Sequence, residues 1–310
     1  SPDYMMVGAH YDHLGFGEVG AFNAKGEERM IHNGADDNAS GVASILEMAG
    51  AIKQFMTRSP NVIKNGIIFS FWSGEELGLI GSTHFANHPP LPLDSIHAYL
   101  NFDMVGRLRE NRLTLQGIGS SPEWRPLIEQ KNILAEFHLI LQDDPYLPTD
   151  TTAFYPKEIP VLSFFTGSHE EYHRPGDDFN TLNWNGLSRI SKFANEMVKN
   201  LIVNEPTILP YAKVAPSQDA GKRDTLRVYL GTIPDYTSET EGVKLTGVRA
   251  GGPADMAGLK AGDVITSFAS QPIKNIYDFT YALDAATINK PTGITILRAN
   301  VSIKKLITPT

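Results

Sequence analysis

The chain has 310 residues, of which 41% are apolar, 9% aromatic and 20% charged, a composition that excludes collagen-like, coiled-coil and wholly disordered proteins. The 35 acidic residues outnumber the 27 basic ones and give a formal net charge of -8, so nucleic acid is not expected as the main partner. No apolar stretch approaches the length of about 18 residues that suggests a transmembrane helix, so no transmembrane segment is expected.

Cysteine is absent from the sequence. Disulfide bonds, thiolate metal sites and cysteine nucleophiles are therefore excluded, and any metal ion must be bound by His, Asp or Glu. The chain begins just before an apolar strand and without a signal-peptide pattern, which suggests a trimmed chain or a mature fragment. A sequence without cysteine fits both a cytoplasmic and an exported protein. We expect an exported bacterial protein, which is periplasmic, secreted or surface-associated.

Short apolar runs alternate with longer helical patterns in the first part of the chain. The runs, which are apolar throughout and so indicate strands buried on both faces of a parallel sheet, cover 5–9, 66–72, 98–102 and 160–165. An amphipathic helix, with Asn38 or Ser40 as its N-cap, is predicted from one apolar face formed by Val42, Ile45, Leu46, Ala49, Ile52 and Phe55. A similar pattern predicts a helix over about 186–201. Strands that alternate with helices predict an α/β domain over 1–203.

The pattern changes after this domain. Residues 204–223 contain three prolines and show no periodicity, which predicts a linker. Residues 224–310 then show short strands and turns with glycine, and a helix is predicted at about 275–287. This part of the chain is therefore expected to form a separate, smaller and mainly β domain.

Acidic residues and histidines follow the predicted core strands. They are His10 and Asp12, Asp36 and Asp37, Glu75 and Glu76, Asp103, and a loop with His169, Glu170, Glu171, Tyr172, His173 and Asp177. Open α/β sheets bind ligands at the carboxyl ends of their strands, so we expect these groups at one sheet edge.

Each of these segments has an ordinary structural explanation when it is taken alone. Adjacent acidic residues often begin or cap a helix, and a histidine in a loop is usually solvated. Several carboxylates at one edge repel one another, however, so that either their pKa values rise or cations neutralise them. Two divalent ions would offset Asp36, Glu76 and Asp103 and would leave two histidines as neutral ligands.

At this point the sequence resembles the di-zinc aminopeptidases related to bacterial leucyl aminopeptidase and glutamate carboxypeptidase. The matching segments, in the order of that family, are AHYDHLG, NGADDNASG, FWSGEELGLIGS, NFDMVG and YHRPGDD. The resemblance implies that His10 and Asp103 bind one zinc, that Glu76 and His173 bind the other, and that Asp36 bridges them. It also implies a mixed, largely parallel sheet sandwiched by helices.

The resemblance implies further roles near these ligands. Glu75 would be the general base, Asp12 would orient the imidazole of His10, and Asp37 would not be a ligand but would follow Asp36 through a cis peptide bond. Oxygen and nitrogen ligands suit zinc, and also cobalt or manganese. Most of the other histidines, His13 among them, are expected at surface or packing positions, whereas His169 and Tyr172 are expected near the site, where they could stabilise the oxyanion.

The match with this family has gaps. Family members usually carry another helix and strand before the first segment, so the N-terminal part of the domain is expected to be missing here. Many also read SDH before the last metal histidine, where this chain has Thr149, Asp150 and Thr151. This departure concerns the substrate pocket rather than the metal ligands.

Residues 229–236 and 243–273 resemble a PDZ domain of the kind appended to bacterial proteases. A loop such as Leu230–Ile233 can offer backbone N–H groups to the terminal carboxylate of a peptide, which then adds a strand to the sheet. The sequence therefore predicts a metal-dependent aminopeptidase that acts on peptides, with a C-terminal peptide as a second ligand. The alternatives are a carboxypeptidase or a glutaminyl cyclase on the same scaffold, or an inactive catalytic domain that serves as a PDZ interaction protein.

Overall fold

The computed structural model describes residues 3–18, 21, 27, 29–146, 149–203, 209–214, 228–235, 240–248, 250–274, 278–279, 282–283 and 286–310. The chain divides into two compact units. The first unit comprises Ser1–Gly15, His32–Thr166 and Gly176–Ala215, and the second comprises Phe16–Ile31, Gly167–Pro175 and Pro216–Thr310.

The first unit is built on a six-stranded sheet. Its strands are β1 (Tyr4–His10), β2 (Gly66–Trp72), β3 (Ile96–Phe102), β4 (Arg112–Gln116), β5 (His138–Gln142) and β6 (Val161–Phe165). The strand order is β2-β1-β3-β6-β4-β5, and all neighbouring pairs are parallel except β4 and β6. The sheet is therefore mixed and largely parallel.

Helices cover both faces of this sheet. They are α1 (Gly41–Arg58), α2 (Ile80–Asn87), α3 (Trp124–Ala135), α4 (Thr151–Phe154) and α5 (Trp184–Val203). Met5 and Val7 of β1 share an apolar core with residues of α1, α3 and α5, whereas Met6 between them joins Trp72 and Phe154 in a second core. Successive residues of a strand point to opposite faces, so the uninterrupted apolar run in β1 serves both cores.

The predicted strands and the two predicted helices of this unit are found, each within a few residues of its expected bounds. Strands β4 and β5 were not predicted. In α1, Ile45 and Ile52 are buried, but Leu46, which was expected on the same face, is 57% exposed. Ser40 occupies the N-cap position without a side-chain capping bond, and Asn38 Oδ1 accepts the N–H of Gly41 instead.

Part of the predicted linker 204–223 packs on the first unit. Among residues 209–214, the N–H of Val214 donates to the hydroxyl of Tyr155 at 2.6 Å, and that hydroxyl donates to the carbonyl of Ala212 at 3.1 Å. These six residues therefore extend the first unit. The rest of the predicted linker lies outside the described residues.

The second unit contains a mainly antiparallel sheet. Its elements are β7 (Thr232–Pro234), β8 (Val243–Val248), α6 (Pro253–Met256), β9 (Val264–Phe268), β10 (Gln271–Pro272), β11 (Thr292–Arg298) and β12 (Val301–Ile307). The strand order is β12-β11-β9-β8-β7, and β10 pairs with β9. The predicted helix at 275–287 falls largely outside the described residues.

An ion pair fixes the interior of this unit. Arg298 places Nε at 2.7 Å from Oδ1 and an Nη at 2.8 Å from Oδ2 of Asp263, whose side chain is buried. Burial raises the pKa of Asp263, but the Arg298 guanidinium and the N–H of Lys260 outweigh burial and hold this pKa below its usual value. In the part of the chain that is described, no helix combines the length and the apolar character needed to cross a bilayer.

Candidate metal centre

Chemically active side chains meet at the carboxyl ends of three neighbouring strands. His10 is the last residue of β1, Asp103 follows β3 directly, and Glu75 and Glu76 come shortly after β2. Because β1 pairs in parallel with both β2 and β3, these three strand ends lie side by side. This is the edge at which open α/β sheets bind their ligands.

The imidazole of His10 lies between two carboxylates. Its Nε2 is 3.3 Å from Oδ1 of Asp37 and 3.5 Å from Oδ1 of Asp103. Its Nδ1 is 3.2 Å from the backbone carbonyl oxygen of Asp12, to which an N–H at this position donates. That hydrogen bond favours the tautomer in which the lone pair of Nε2 faces the carboxylates, as a metal ligand requires.

Two groups of potential ligands share this histidine. One consists of His10, Asp37 and Glu76, and the other of His10, Glu75 and Asp103, with the ligand atoms of each group within 4.8 Å of one another. Every donor is an imidazole nitrogen or a carboxylate oxygen. This donor set fits zinc and, as the sequence also allows, cobalt or manganese.

Crowding changes the proton affinities of the site. Burial raises the pKa of Glu75 well above its usual value, and the neighbouring acidic groups raise it further while His10 lowers it. Burial also raises the pKa of Asp103, against the lowering effect of its hydrogen bond with His10. Burial lowers the pKa of His10, but the surrounding carboxylates outweigh burial and hold it well above 6.5. A divalent cation would offset the negative charge that produces these shifts.

The two adjacent aspartates, of which Asp36 was expected to bridge the ions, make different contacts. Asp36 lies in neither ligand group of the described residues, and its Oδ1 accepts the N–H of Gly106 at 2.6 Å and the hydroxyl of Ser40 at 3.0 Å. Asp37, which was expected not to be a ligand, is the one that faces His10. The backbone of Asp37 is non-helical (φ -109°, ψ 84°), so the two neighbouring carboxylates point in different directions.

The cis peptide bond also differs from the expectation. It joins Asp37 to Asn38 rather than Asp36 to Asp37. The expected position was therefore one residue too early.

Asp12 acts on two neighbouring parts of the site. Its carboxylate accepts the N–H of Glu75 at 3.1 Å and that of Glu76 at 3.3 Å, whereas its Oδ1 is 3.8 Å from Nδ1 of His10. The predicted contact with His10 is thus made mainly by the carbonyl of Asp12. Its carboxylate instead fixes the turn that carries the two glutamates.

His13 lies at the site, although it was expected at a surface or packing position. Its Nδ1 is 2.7 Å from Oε1 of Glu76 and 4.0 Å from Oδ2 of Asp37. The sequence signal was its place shortly after His10, at the end of the same strand. A hydrogen bond from this imidazole can orient one oxygen of Glu76 and leave the other for a metal ion.

His173 lies on Gly167–Pro175, which belongs to the second unit. Its ring stacks on that of Tyr172, with 3.9 Å between the centroids, and its φ of 55° is in the left-handed region. Neither ligand group described above includes His173. Its role as a ligand therefore stays a prediction.

Asp150 is a buried carboxyl that the sequence did not place among the site residues. It directly precedes α4, is 1% exposed, and its oxygens accept no hydrogen bond of ordinary length from the described residues. Burial raises its pKa to about 7, with a further rise from Asp103 and Asp12 and an opposing effect of the Ser82 hydroxyl and of His10.

The fold and this donor set define an α/β domain with a candidate metal site at the edge of its sheet, and comparison with known proteins identifies its family. Peptidase family M28 matches residues 1–198, and a PDZ domain matches residues 228–305. The chain belongs to peptidase family M28, because the match covers more than half of its length.

Named relatives agree with this family. The probable leucine aminopeptidase 2 of Aspergillus oryzae is 29% identical over 235 residues, which is 60% of this chain and 46% of the relative. Leucine aminopeptidase 2 of Trichophyton rubrum is 27% identical over 208 residues, which is 58% of this chain and 38% of the relative. The chain thus spans less than half the length of these relatives.

Solved structures confirm the predicted fold class. The zinc aminopeptidase BSAP from Bacillus subtilis aligns with a TM-score of 0.53 at 24% identity over 68% of this chain and 50% of that one. The LapA aminopeptidase of Legionella pneumophila aligns with a TM-score of 0.52 at 23% identity, over 65% of this chain and 52% of that one. The glutaminyl cyclase of Porphyromonas gingivalis aligns with a TM-score of 0.51 at 17% identity, over 64% of this chain and 73% of that one. At these identities the likeness concerns the fold alone.

The raised pKa of Asp150 predicts a pH-dependent cost in the metal-free protein. The folded protein holds the proton of Asp150 more tightly than the unfolded chain does. Protonated Asp150 therefore contributes fully to folding stability below the unfolded pKa of 3.8, and this contribution is lost as the pH rises through about 7. One pKa unit corresponds to about 1.4 kcal/mol, so Asp150→Asn should stabilise the metal-free protein at pH 8 by on the order of 4 kcal/mol at most, and should have little effect at pH 4.

The measurement is denaturant unfolding of both proteins in chelator at the two pH values. Asp94→Asn, which changes an exposed aspartate, is the matched control and should show no such difference. An Asp150→Asn protein that is no more stable than wild type at pH 8 would contradict the raised pKa of Asp150.

Proposed function

We propose that the protein is a zinc-dependent aminopeptidase, which removes residues from the N-termini of peptides. The observation that carries this proposal is the imidazole of His10 between Asp37 and Asp103, with two further carboxylates in the same ligand groups. Membership of peptidase family M28 supports it, as do relatives that are named leucine aminopeptidases and a similar fold in a zinc aminopeptidase.

We assign two zinc ions to the site. His10 and Asp103 would hold one ion, Glu76 and His173 the other, and Asp37 would bridge them in place of Asp36. When bound, a pair of ions shares a water molecule, lowers its pKa towards neutrality and polarises the carbonyl of the substrate. Four carboxylates around one histidine are the negative charge that two such cations would balance.

Glu75 is the proposed general base. Its carboxylate lies among the ligand atoms, and its high pKa suits a group that accepts a proton from water and later gives it to the leaving amine. The N–H groups of Glu75 and Glu76 both donate to Asp12, so their backbone turn is fixed while their side chains take separate tasks. In this assignment His13 orients Glu76.

Substitution of the two neighbouring glutamates tests whether Glu75 is the general base and Glu76 a metal ligand. Glu75→Gln should retain the metal and lose about 10²–10⁴-fold in kcat, because it removes the proton acceptor. Glu76→Gln should instead lose metal, because it replaces a ligand. Metal content is measured by plasma mass spectrometry, and turnover with a panel of aminoacyl anilides.

The same experiment distinguishes the alternatives. Chelator should abolish wild-type turnover and zinc should restore it, whereas full activity of a verified metal-free protein would rule out the metal mechanism. Turnover of an N-terminal glutaminyl peptide to its cyclic product, without anilide hydrolysis, would indicate a glutaminyl cyclase. Release of residues from the C-terminus would indicate a carboxypeptidase, and metal binding without any turnover an inactive scaffold.

The second unit is proposed to bind the C-terminus of a peptide. Gly231 has a φ of 71°, the carbonyl of Leu230 accepts the N–H of Ala254, and β7 lies at the end of the described sheet order. A fixed loop beside a short edge strand can offer N–H groups to a carboxylate and backbone groups to an added strand. The PDZ match supports this proposal.

Peptide binding can be measured by fluorescence anisotropy with the full chain, which carries Glu75→Gln so that the peptide is not digested. A peptide with a free carboxylate should bind at least about tenfold more tightly than its C-terminal amide, since a charged hydrogen-bond acceptor is lost. Gly231→Ala should weaken binding, whereas Gly251→Ala, also at positive φ (72°) but with no atom close to its added Cβ, should not. Equal affinity for the peptide with a free carboxylate and for its C-terminal amide would rule out carboxylate binding at the loop beside β7.

Export is also retained as a proposal, with the periplasm, the cell surface or the medium as the location. The absence of cysteine is compatible with an oxidising compartment, as it is with the cytoplasm. Fractionation of the source cells with an antibody against the second unit tests this. Protein found only with cytoplasmic markers would contradict it.

A further inference from the structure

A carboxylate outside the ligand groups holds the turn that carries Asp37. Asp177 is 0% exposed, and its Oδ2 accepts the N–H of Asp36 and that of Asp37, both at 2.9 Å. Its backbone carbonyl accepts the N–H of Ala35 at 3.0 Å. Three consecutive N–H groups therefore donate to one residue that lies 141 positions after Asp36 in the sequence.

The turn cannot provide this acceptor itself. The first N–H groups of a helical segment have no partner within the segment and are usually capped by a side chain just before it. Gly34 occupies that position and has no side chain. A carboxylate suits the place better than a neutral acceptor, because its hydrogen bonds to these N–H groups are charge-assisted.

The other oxygen of Asp177 faces the segment that follows Asp103. An Nη of Arg107 is 3.5 Å from Oδ1 of Asp177, and the backbone N–H of Arg107 donates to the hydroxyl of Thr166. The guanidinium is largely buried, with 16% of the side chain exposed. Asp177 thus lies between the backbone of Asp37, a proposed ligand, and the guanidinium of Arg107, which comes shortly after the proposed ligand Asp103.

We propose that Asp177 is a positioning residue, which fixes the backbone of Asp37 so that its carboxylate faces His10 and can bind metal. The proposal rests on the metal-dependent function proposed above. An amide at position 177 would present one oxygen and one NH2 group. If the oxygen kept both backbone N–H groups, the NH2 would face Arg107, donor against donor.

The test uses three variants of the full chain. Asp177→Asn removes the charge, Asp177→Glu keeps the charge but moves the carboxylate by one methylene, and Asp178→Asn is the matched control. Asp178 is the neighbouring residue, and its carboxylate accepts a hydrogen bond from Asn33 in an exposed position. Zinc dissociation constants are measured by competition with a chromophoric chelator, and thermal unfolding is followed with and without zinc.

A positioning role predicts that both Asp177 variants bind zinc about 10–100-fold more weakly, as is usual when a residue behind a metal ligand is lost. Asp178→Asn should remain within about twofold of wild type, and the unfolding midpoint should fall more with zinc than without it. The turnover that remains should recover at high zinc.

Other outcomes overturn the inference in different ways. Wild-type zinc affinity in Asp177→Asn would show that the ligand does not need this carboxylate. A loss in Asp177→Asn alone would indicate an effect of charge rather than of position. Two variants that do not fold would show that Asp177 supports the fold and not the ligand. Wild-type protein that binds no zinc would instead defeat the proposed function.

Discussion

Repulsion among the carboxylates at the ends of β1, β2 and β3 is the constraint on which the rest of this structure depends. Four of them surround His10, in a place where burial removes most of the water that would otherwise stabilise their charge. Such a cluster can persist by taking up protons or by binding cations. The raised pKa values describe the first solution in the metal-free protein. The proposed metal pair would supply the second, and the same cations would then provide the chemistry of the proposed hydrolase.

Polar residues next to the proposed ligands form the frame that holds this cluster together. The amide of Asn38 donates to the carbonyl of Phe102 and accepts the N–H of Met104, so the turn before α1 is joined to the end of β3. The carboxylate of Asp36 makes a parallel connection to Gly106. A motif that looks like a row of acidic ligands is therefore divided between proposed metal binding by Asp37 and structural support by Asp36 and Asn38. This division explains why so many polar side chains are tolerated where little solvent reaches.

The sequence predicted the strands that are apolar without interruption, and it predicted that the segments after β1, β2 and β3 meet at the sheet edge, because both follow from burial and strand direction. It did not predict β4 and β5, because RLTLQ alternates polar with apolar residues and HLILQ contains an apolar run of only three residues. It named Asp36 as the bridge and excluded Asp37 through the resemblance, but residue spacing alone cannot distinguish the two, since the direction of each carboxylate depends on the dihedral angles of a single irregular turn. His13 was missed because a histidine shortly after a strand is usually a solvated loop residue, and Asp150 was missed because burial behind a site leaves no spacing pattern.

The central assignment is a pair of metal ions bridged by Asp37, and anomalous scattering from crystals of the zinc-loaded protein tests it most directly. Data collected on both sides of the zinc absorption edge locate each ion and the side chains around it. The assignment predicts two peaks about 3.5–4 Å apart, with the carboxylate of Asp37 between them and His10 on one ion. A single peak, or two peaks with Asp36 as the bridging residue, would contradict it.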